Sequence, residues 1–478
     1  MKAKNLIPIL LLCLLPHASG AQAPGPDGTK AAPAAQTPGT PTSPMSLQQC
    51  LDWALEHNIT LQKDRLGLET AAQSKREVLG SLLPQLNATG SFTYNIQKTA
   101  IAMPNFVNSM MPEAMRDPNA PKYMTVTMGM DLSANWGVAL TQQLVNFALF
   151  SAVDIAKAAE QLAATGVAAD ADDVIAQTAT LFYSTQILEY SLDLFDESLA
   201  TMERMAAVME ANRSNGLVRN VDADRISVTK MNLETEKSGL IQALEVQKNL
   251  LKLQLGFPMD EPIAIEPMNL DGIETMIFLE SMKEYYVEDQ LPFKLLKQQQ
   301  NMLQLQRKAA VAEVLPSLTL TANYSQNYMG DHFYGETYHH FPVSMISLNL
   351  RVPLFTGMSK SAKIRKAEIE IEKSLRDERM LVQSLTMGYS NARMQLDQNR
   401  NSIGSQKRNR ELAQEVLRVT ESNYNEGIAG LSDLLNASSS LIQAQMNYIN
   451  ALSNCVKACI DLRKADGTIS ELNRHTNE

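Results

Sequence analysis

The sequence predicts an α+β membrane protein: each chain gives four strands to a shared β-barrel and continues into long antiparallel helices, with an internal two-fold repeat. Three observations predict it. A turn motif recurs at a fixed offset, helical runs are far longer than a globular core requires, and four segments alternate strictly between apolar and polar residues.

The turn comes first. Glu421-Ser-Asn-Tyr424-Asn-Glu-Gly427-Ile428-Ala429-Gly430-Leu-Ser-Asp433 echoes Glu210-Ala-Asn-Arg-Ser-Asn-Gly216-Leu217-Val218-Arg219-Asn-Val-Asp222. Glu210 and Glu421, Asn212 and Asn423, Gly216 and Gly427, and Asp222 and Asp433 all differ by 211. A glycine between helical runs reads as a C-cap, where glycine alone takes a left-handed backbone cheaply. An aspartate six residues on falls in the first turn of the next helix, where the dipole favours negative charge. Each copy therefore predicts a tight turn between antiparallel helices.

Both descending runs end at a further glycine, Gly256 and Gly467, 40 residues from the turn glycine in each case. The rising runs start near Leu144 and Leu354, 72 and 73 residues before the turn. At 1.5 Å per residue these are rods of about 108 and 60 Å, a length sustained by coiled coils and helical arrays. A helical stretch from Ser46 to Leu83, opened by a Ser46–Gln49 capping box and closed by Pro84, adds 38 residues. Stacked end to end with a descending run, it gives a composite rod to match the rising one. The second half has a similar short segment from about Gly272 to Leu315.

Between these rods the period becomes two. Leu86, Ala88, Gly90, Phe92 and Tyr94 alternate with Asn87, Thr89, Ser91, Thr93 and Asn95. The segments at about 131–144, 318–327 and 345–355 behave alike, which predicts strands of the ~9–11 residues that cross a bilayer obliquely. A polar face of Ser, Thr and Asn suits a water-filled lumen, with a soluble sandwich as the other reading of the alternation. No later stretch is apolar for long enough to span as a helix. Four strands cannot close a barrel, and open edges in lipid leave backbone groups unsatisfied. Several chains must share one barrel, and geometry alone permits two or three.

Residues 1–20 read as a secretory signal peptide: Lys2 and Lys4, an apolar core from Leu6 to Leu15, then Ala18-Ser19-Gly20. Cys13 follows the bulky Leu12, which disfavours a lipid-anchor site. Residues 21–45 form a Pro-, Gly- and Ala-rich flexible leader. The remaining domains are 46–270, 271–467 and a tail at 468–478. Formal charge is −10, becoming −12 once the two lysines are removed, so no basic nucleic-acid footprint exists. Cys50, Cys455 and Cys459 read as small buried apolar residues. The segment from Ile96 to Met130 reads as a rim loop holding seven methionines (103, 110, 111, 115, 124, 128, 130), soft ligands for copper in principle but ordinary packing groups more often. A second rim loop carries His332, His339 and His340. No cofactor or metal site and no catalytic constellation is expected.

Taken together, Ser46-Leu47…Ala54…Asn58, the breaks at Pro84 and Pro316, the strand exits Leu140-Thr-Gln-Gln-Leu-Val-Asn-Phe147 and Leu350-Arg-Val-Pro-Leu-Phe-Thr-Gly357, the Tyr424–Ala437 turn and the closing Leu462…Gly467 resemble the TolC family of outer-membrane efflux proteins. The resemblance covers essentially all of 46–467. It implies a homotrimer, hence a 12-stranded barrel in the outer membrane continued by an α-helical coiled-coil tunnel in the periplasm. It further implies a passive exit duct for tripartite efflux or type I secretion, docked at the tip turns (Gly216, Leu217, Val218, Gly427, Ile428, Ala429, Gly430) to a periplasmic adaptor and, through it, to an inner-membrane pump of RND, ABC or MFS type. Asp433 matches the first carboxylate that rings the family's periplasmic aperture, with Tyr424 in the same turn. Asn436 stands where a second acid is usual, and Ala429 where an arginine can lock the closed state against the acid matched by Asp222. Arg219 is the candidate replacement cation. The competing class is a secreted periplasmic coiled-coil adaptor or structural protein, which would need an adaptor β-domain between its helices.

Overall fold

The computed structural model describes residues 43–215, 218–270, 272–273, 285–331 and 339–473. The signal peptide, all but the last residues of the leader, Gly216, Leu217, His332 and the end of the tail lie outside the described residues. Residues 274–284, near the start of the segment expected from about Gly272 to Leu315, do too. The compact body runs from Met45 onward.

The first helix, α1 (Leu47–His57), starts on the expected capping box: the Gln49 amide N–H donates to Ser46 Oγ, and the Ser46 N–H donates to Gln49 Oε1 at 3.0 Å. One continuous run from Ser46 to Leu83 is not what forms. α1 stops at His57 and α2 (Ile59–Gly80) starts afresh, with Asn58 ending one helix and capping the other. Asn58 is 5 % exposed, accepts from the Leu61 N–H at 3.0 Å, and donates from Nδ2 to the Gln254 carbonyl at 2.7 Å. An asparagine cap offers the backbone an alternative to continuing the helix, which an apolar periodicity does not reveal. Asn58→Ala removes the cap and strands the Gln254 carbonyl, an expected loss of about 2–3 kcal/mol, measurable by chemical unfolding of the detergent-solubilised protein followed by circular dichroism.

Four strands form one antiparallel sheet in the order β1 (Gln85–Tyr94), β4 (Leu132–Val145), β5 (Ser317–Gly330), β6 (His339–Arg351). β6 begins six residues before its expected start and ends four before its expected end, and β5 starts one residue earlier and runs three residues further. Register separates the two faces in the half of the sheet nearest the long helices; farther along, Gln326, Ser344 and His340 fall in the apolar rows and Phe341, Val343 and Met345 in the polar ones. Leu140 pairs with Leu86 on one side and Ala322 on the other, and Ala322 pairs with Ile346. On the opposite face, Thr141 and Ser347 flank Thr321, whose hydroxyl lies 2.6 Å from Ser347 Oγ and accepts from Asn349 Nδ2 at 3.2 Å. β1 and β6 have no further partner among the described strands, and every β1 residue is exposed.

The segment from Ile96 to Met130 is not simply a loop. It folds as a hairpin of β2 (Thr99–Pro104) and β3 (Tyr123–Met128), with the short α3 (Phe106–Met110) near its turn. Met103 and Met124 are cross-strand partners, which accounts for two of the seven methionines as packing. His339 and His340 are likewise not loop residues: both open β6, and the His340 ring stacks on Tyr328 with centroids 6.0 Å apart. Lys98 fastens the base of the hairpin to the second half of the sheet, its Nζ 2.8 Å from Asp331 and 3.4 Å from Asp131.

Below the sheet, α4 (Phe147–Ser214) and α7 (Ser359–Asn425) are rods of 68 and 67 residues. They begin a few residues later than Leu144 and Leu354, because Asn146 caps one and the left-handed Gly357–Met358 pair precedes the other. Each is flanked by two shorter helices. α2 and α5 (Asn220–Leu255) lie along α4, and α6 (Leu291–Ala312) and α8 (Leu431–Asp466) along α7. The lengths are 22 and 36 residues in both sets, and α5 and α8 start and stop at positions 211 apart. End-to-end stacking is seen at Gly256, the left-handed cap of α5, which lies directly against the His57–Asn58 junction. Ion pairs such as Lys248–Glu189 at 2.8 Å and Lys297–Glu378 at 2.7 Å cross between neighbouring rods; exposed pairs of this kind are worth at most about 1 kcal/mol each and serve mainly to fix register. Among the described residues no helix is long and apolar enough to cross a membrane.

Candidate aperture site at the helix tips

At the lower end each rod turns back on itself. In the second turn the fold is fully visible: Gly427 takes φ +75, the Ile428 N–H donates to the Asn423 carbonyl at 2.8 Å, and the Gly427 N–H donates to Tyr424 at 3.0 Å. This is the Schellman arrangement that the turn glycine predicts. Gly430 then starts α8, and Asp433 three residues on accepts the Gly430 N–H at 3.0 Å. Asp433 and Asn436 are both exposed, three residues apart and so on one helix face. Ile428 is 73 % exposed at the extreme tip, while Ala429 is half-buried.

The first turn is built differently. Arg219 lies three residues before Asp222 and grips it with two nitrogens, Nε at 2.9 Å and Nη2 at 3.3 Å. Arg225 approaches the same carboxylate at 3.9 Å. The Asp222 side chain is 13 % exposed and that of Arg219 82 %. Arg219 is thus engaged with the acid of its own turn, a fork-on-carboxylate contact with one charge of each sign.

The two tips meet through Tyr424 and Val218 of the turn motif and through helix residues that it does not mark. Tyr424 donates its hydroxyl to Met209 Sδ at 2.9 Å, and burial, with the nearby Asp222 charge adding to it, holds its phenol above the usual range. Around this contact Met205, Met209, Ile226, Leu417 and Leu434 form a buried knot with Val218, Tyr424 and Leu431 at its edge. These positions recur at helical spacing in the sequence, so the signal for a core was present; its role in joining the two tips was not.

Comparison with known proteins supports the same reading. The family model described as "Outer membrane efflux protein" matches residues 294–468. The outer membrane protein TolC of Vibrio cholerae is 27 % identical over 161 residues, which are 33 % of this chain and 36 % of that protein; the match therefore spans about a third of the relative's length. Among solved structures, the Campylobacter jejuni CmeC outer membrane channel superposes with a TM-score of 0.69 at 14 % identity, covering 90 % of this chain and 87 % of that one. The Neisseria gonorrhoeae MtrE outer membrane channel, solved in its open state, gives 0.67 at 19 % identity over 90 % and 91 %. VceC of Vibrio cholerae gives 0.65 at 18 % over 88 % and 96 %. At such identities the superpositions establish the fold, a helix-rich body with an antiparallel sheet at one end. Residues 294–468 thus match the outer membrane efflux protein family, and the superpositions show the same fold over about nine-tenths of the chain.

Proposed function

We propose that three copies of this chain form a passive exit duct, with 3 × 4 = 12 strands closing one barrel and the helices lining a tunnel below it. The observation that carries the reading is the four-stranded sheet, whose outer strands β1 and β6 lack partners among the described strands and whose half nearest the long helices separates an apolar from a polar face. In lipid such edges are satisfied only by closure, and the β6 edge of one copy suits the β1 edge of the next. The polar face of Thr, Ser and Asn then lines the lumen, and the Leu, Phe and Trp face meets lipid. The coincident helix lengths support a duplicated half as the unit of construction. The tip turns would dock a periplasmic adaptor and, through it, an inner-membrane pump serving efflux or type I secretion. Catalysis has no part in this function.

At the aperture, three copies of Asp433 would ring the axis and favour cations. Asp222 would contribute little to that field, because Arg219 already neutralises it. Asn436 and Ala429 leave the ring with one acid per chain and without the locking arginine at the second turn. The test is single-channel recording in planar bilayers under a salt gradient, after native mass measurement of the detergent-solubilised complex. A mass of three chains and a cation-selective reversal potential are expected. Asp433→Asn should move that potential toward neutrality, and Arg219→Ala should move it further toward cations by unshielding Asp222. If neither variant shifts it, the aperture assignment is wrong; a monomeric mass with no conductance would remove the duct itself.

A further inference from the structure

Far from the tips, where the end of α8 meets the start of α6, the surface holds a cleft of about 630 Å³ lined by α4, α6, α7 and α8. Five carboxylates line it: Asp170, Asp172 and Asp173 from α4, Asp289 just before α6, and Asp461 from α8. The single basic residue in its wall, Lys464, is paired with Asp173 at 2.9 Å. Burial, reinforced by neighbouring acids, raises the carboxyls of Asp170 and Asp172 above their usual range, as expected where negative charge lacks a counterion. Tyr389 also lines the cleft and is backed by Tyr285, the two rings stacked 4.2 Å apart and within 6° of parallel.

An acidic lining alone is common; Gln290 sets this one apart. It stands before α6 as Asn58 stands before α2, 232 residues earlier, and each touches the left-handed glycine that ends the helix below. Asn58 uses its amide at both ends, as a cap and as a donor to Gln254. Gln290 makes no capping bond, is only 3 % exposed, and its Nε2 has no hydrogen-bond partner among the described residues although it lines the cleft. A buried polar group without a partner is costly unless a ligand supplies one. A half-turn of the amide exchanges its NH2 for its carbonyl, and beside five carboxylates the carbonyl end suits an ammonium donor.

We propose that this cleft binds a small organic polycation of the polyamine class. Its ammonium groups would sit on Asp172, Asp289 and Asp461, with one donating to the turned Gln290 amide and an alkylammonium stretch against Tyr389. The carboxylates are too dispersed for a bare metal ion: among the described residues no three His, Cys, Asp or Glu side chains are grouped to hold one. The site lies on one chain and stands whether or not the duct reading holds.

Isothermal titration of the full detergent-solubilised protein with spermidine at low ionic strength tests it. Saturable binding of one spermidine per chain is expected, weakened about tenfold by Asp172→Asn and about 2- to 10-fold by Tyr389→Leu. Gln290→Leu should weaken it less, and Asp433→Asn, at the distant tip, should leave it unchanged. Asp289→Asn, at an exposed position, serves as a second charge variant should circular dichroism show that the half-buried Asp172→Asn disturbs the fold. Uptake that does not saturate, that magnesium displaces at equal charge concentration, or that survives both carboxylate substitutions would overturn the proposal.

Discussion

Gly256→Ala is expected to destabilise the helical body by about 3–5 kcal/mol, a large share of the stability of an ordinary domain. Two costs combine there. The residue has φ +69, a left-handed backbone that a Cβ disfavours, and that Cβ would lie 3.0 Å from the His57 carbonyl carbon and nearer still to its oxygen. Neither partner can yield, because His57 ends α1 and the adjoining Asn58 is fixed by its own bonds to Leu61 and Gln254. Gly427→Ala provides the internal control. Its φ of +75 is equally unfavourable, but nothing lies within 4 Å of the added carbon, so about 1–2 kcal/mol is expected. Thermal and chemical melts of the two variants in detergent measure the difference. Equal losses would mean that the α5 cap does not bear on the α1–α2 junction.

Leu348→Arg should be nearly as damaging, at about 2–4 kcal/mol if the residue lies near the bilayer midplane, and for a different reason. Leu348 is 63 % exposed in the single chain and sits in the row that pairs with Leu320. Its neighbour Asn349 belongs to the opposite, polar face and bonds to Thr321. With lipid outside and water inside, arginine at 348 is forced into hydrocarbon, whereas arginine at 349 reaches the lumen. The expected result is loss of the heat-modifiable band and of outer-membrane yield for Leu348→Arg, with little change for Asn349→Arg. A soluble sandwich would bury the same apolar face, so it is the outer-membrane yield and the heat-modifiable band, not the loss of stability, that separate the two architectures.

Glycines and alternation made the larger elements legible. Gly256, Gly427 and Gly467 all take the left-handed backbone expected of them, and all four expected strands of the main sheet form, because a period of two admits one register against a buried or lipid-facing side. The misreadings share a cause: local signals that compete at similar strength. Asn58 breaks a run whose apolar spacing continues through it. The β2–β3 hairpin escapes notice because Pro104 and the clustered methionines obscure its short alternation. His339 and His340 read as loop residues by polarity, yet they extend β6, one on each face, with His340 held against the Tyr328 ring. Arg219, the candidate replacement cation, lies on Asp222 of its own turn, a three-residue spacing visible in the sequence but equally compatible with a solvated arginine. The Gln290 cleft left no linear trace, since its walls come from four helices spread over nearly 300 positions.

Because α5 and α8 have the same 36-residue length, both hairpins of a chain end level with each other. In the proposed trimer this produces six feet in one plane, uniform in shape and alternating in chemistry: a neutralised arginine–aspartate foot, then one bearing a bare Asp433. A six-fold ring approaching along the axis would seat on every foot and still distinguish odd from even.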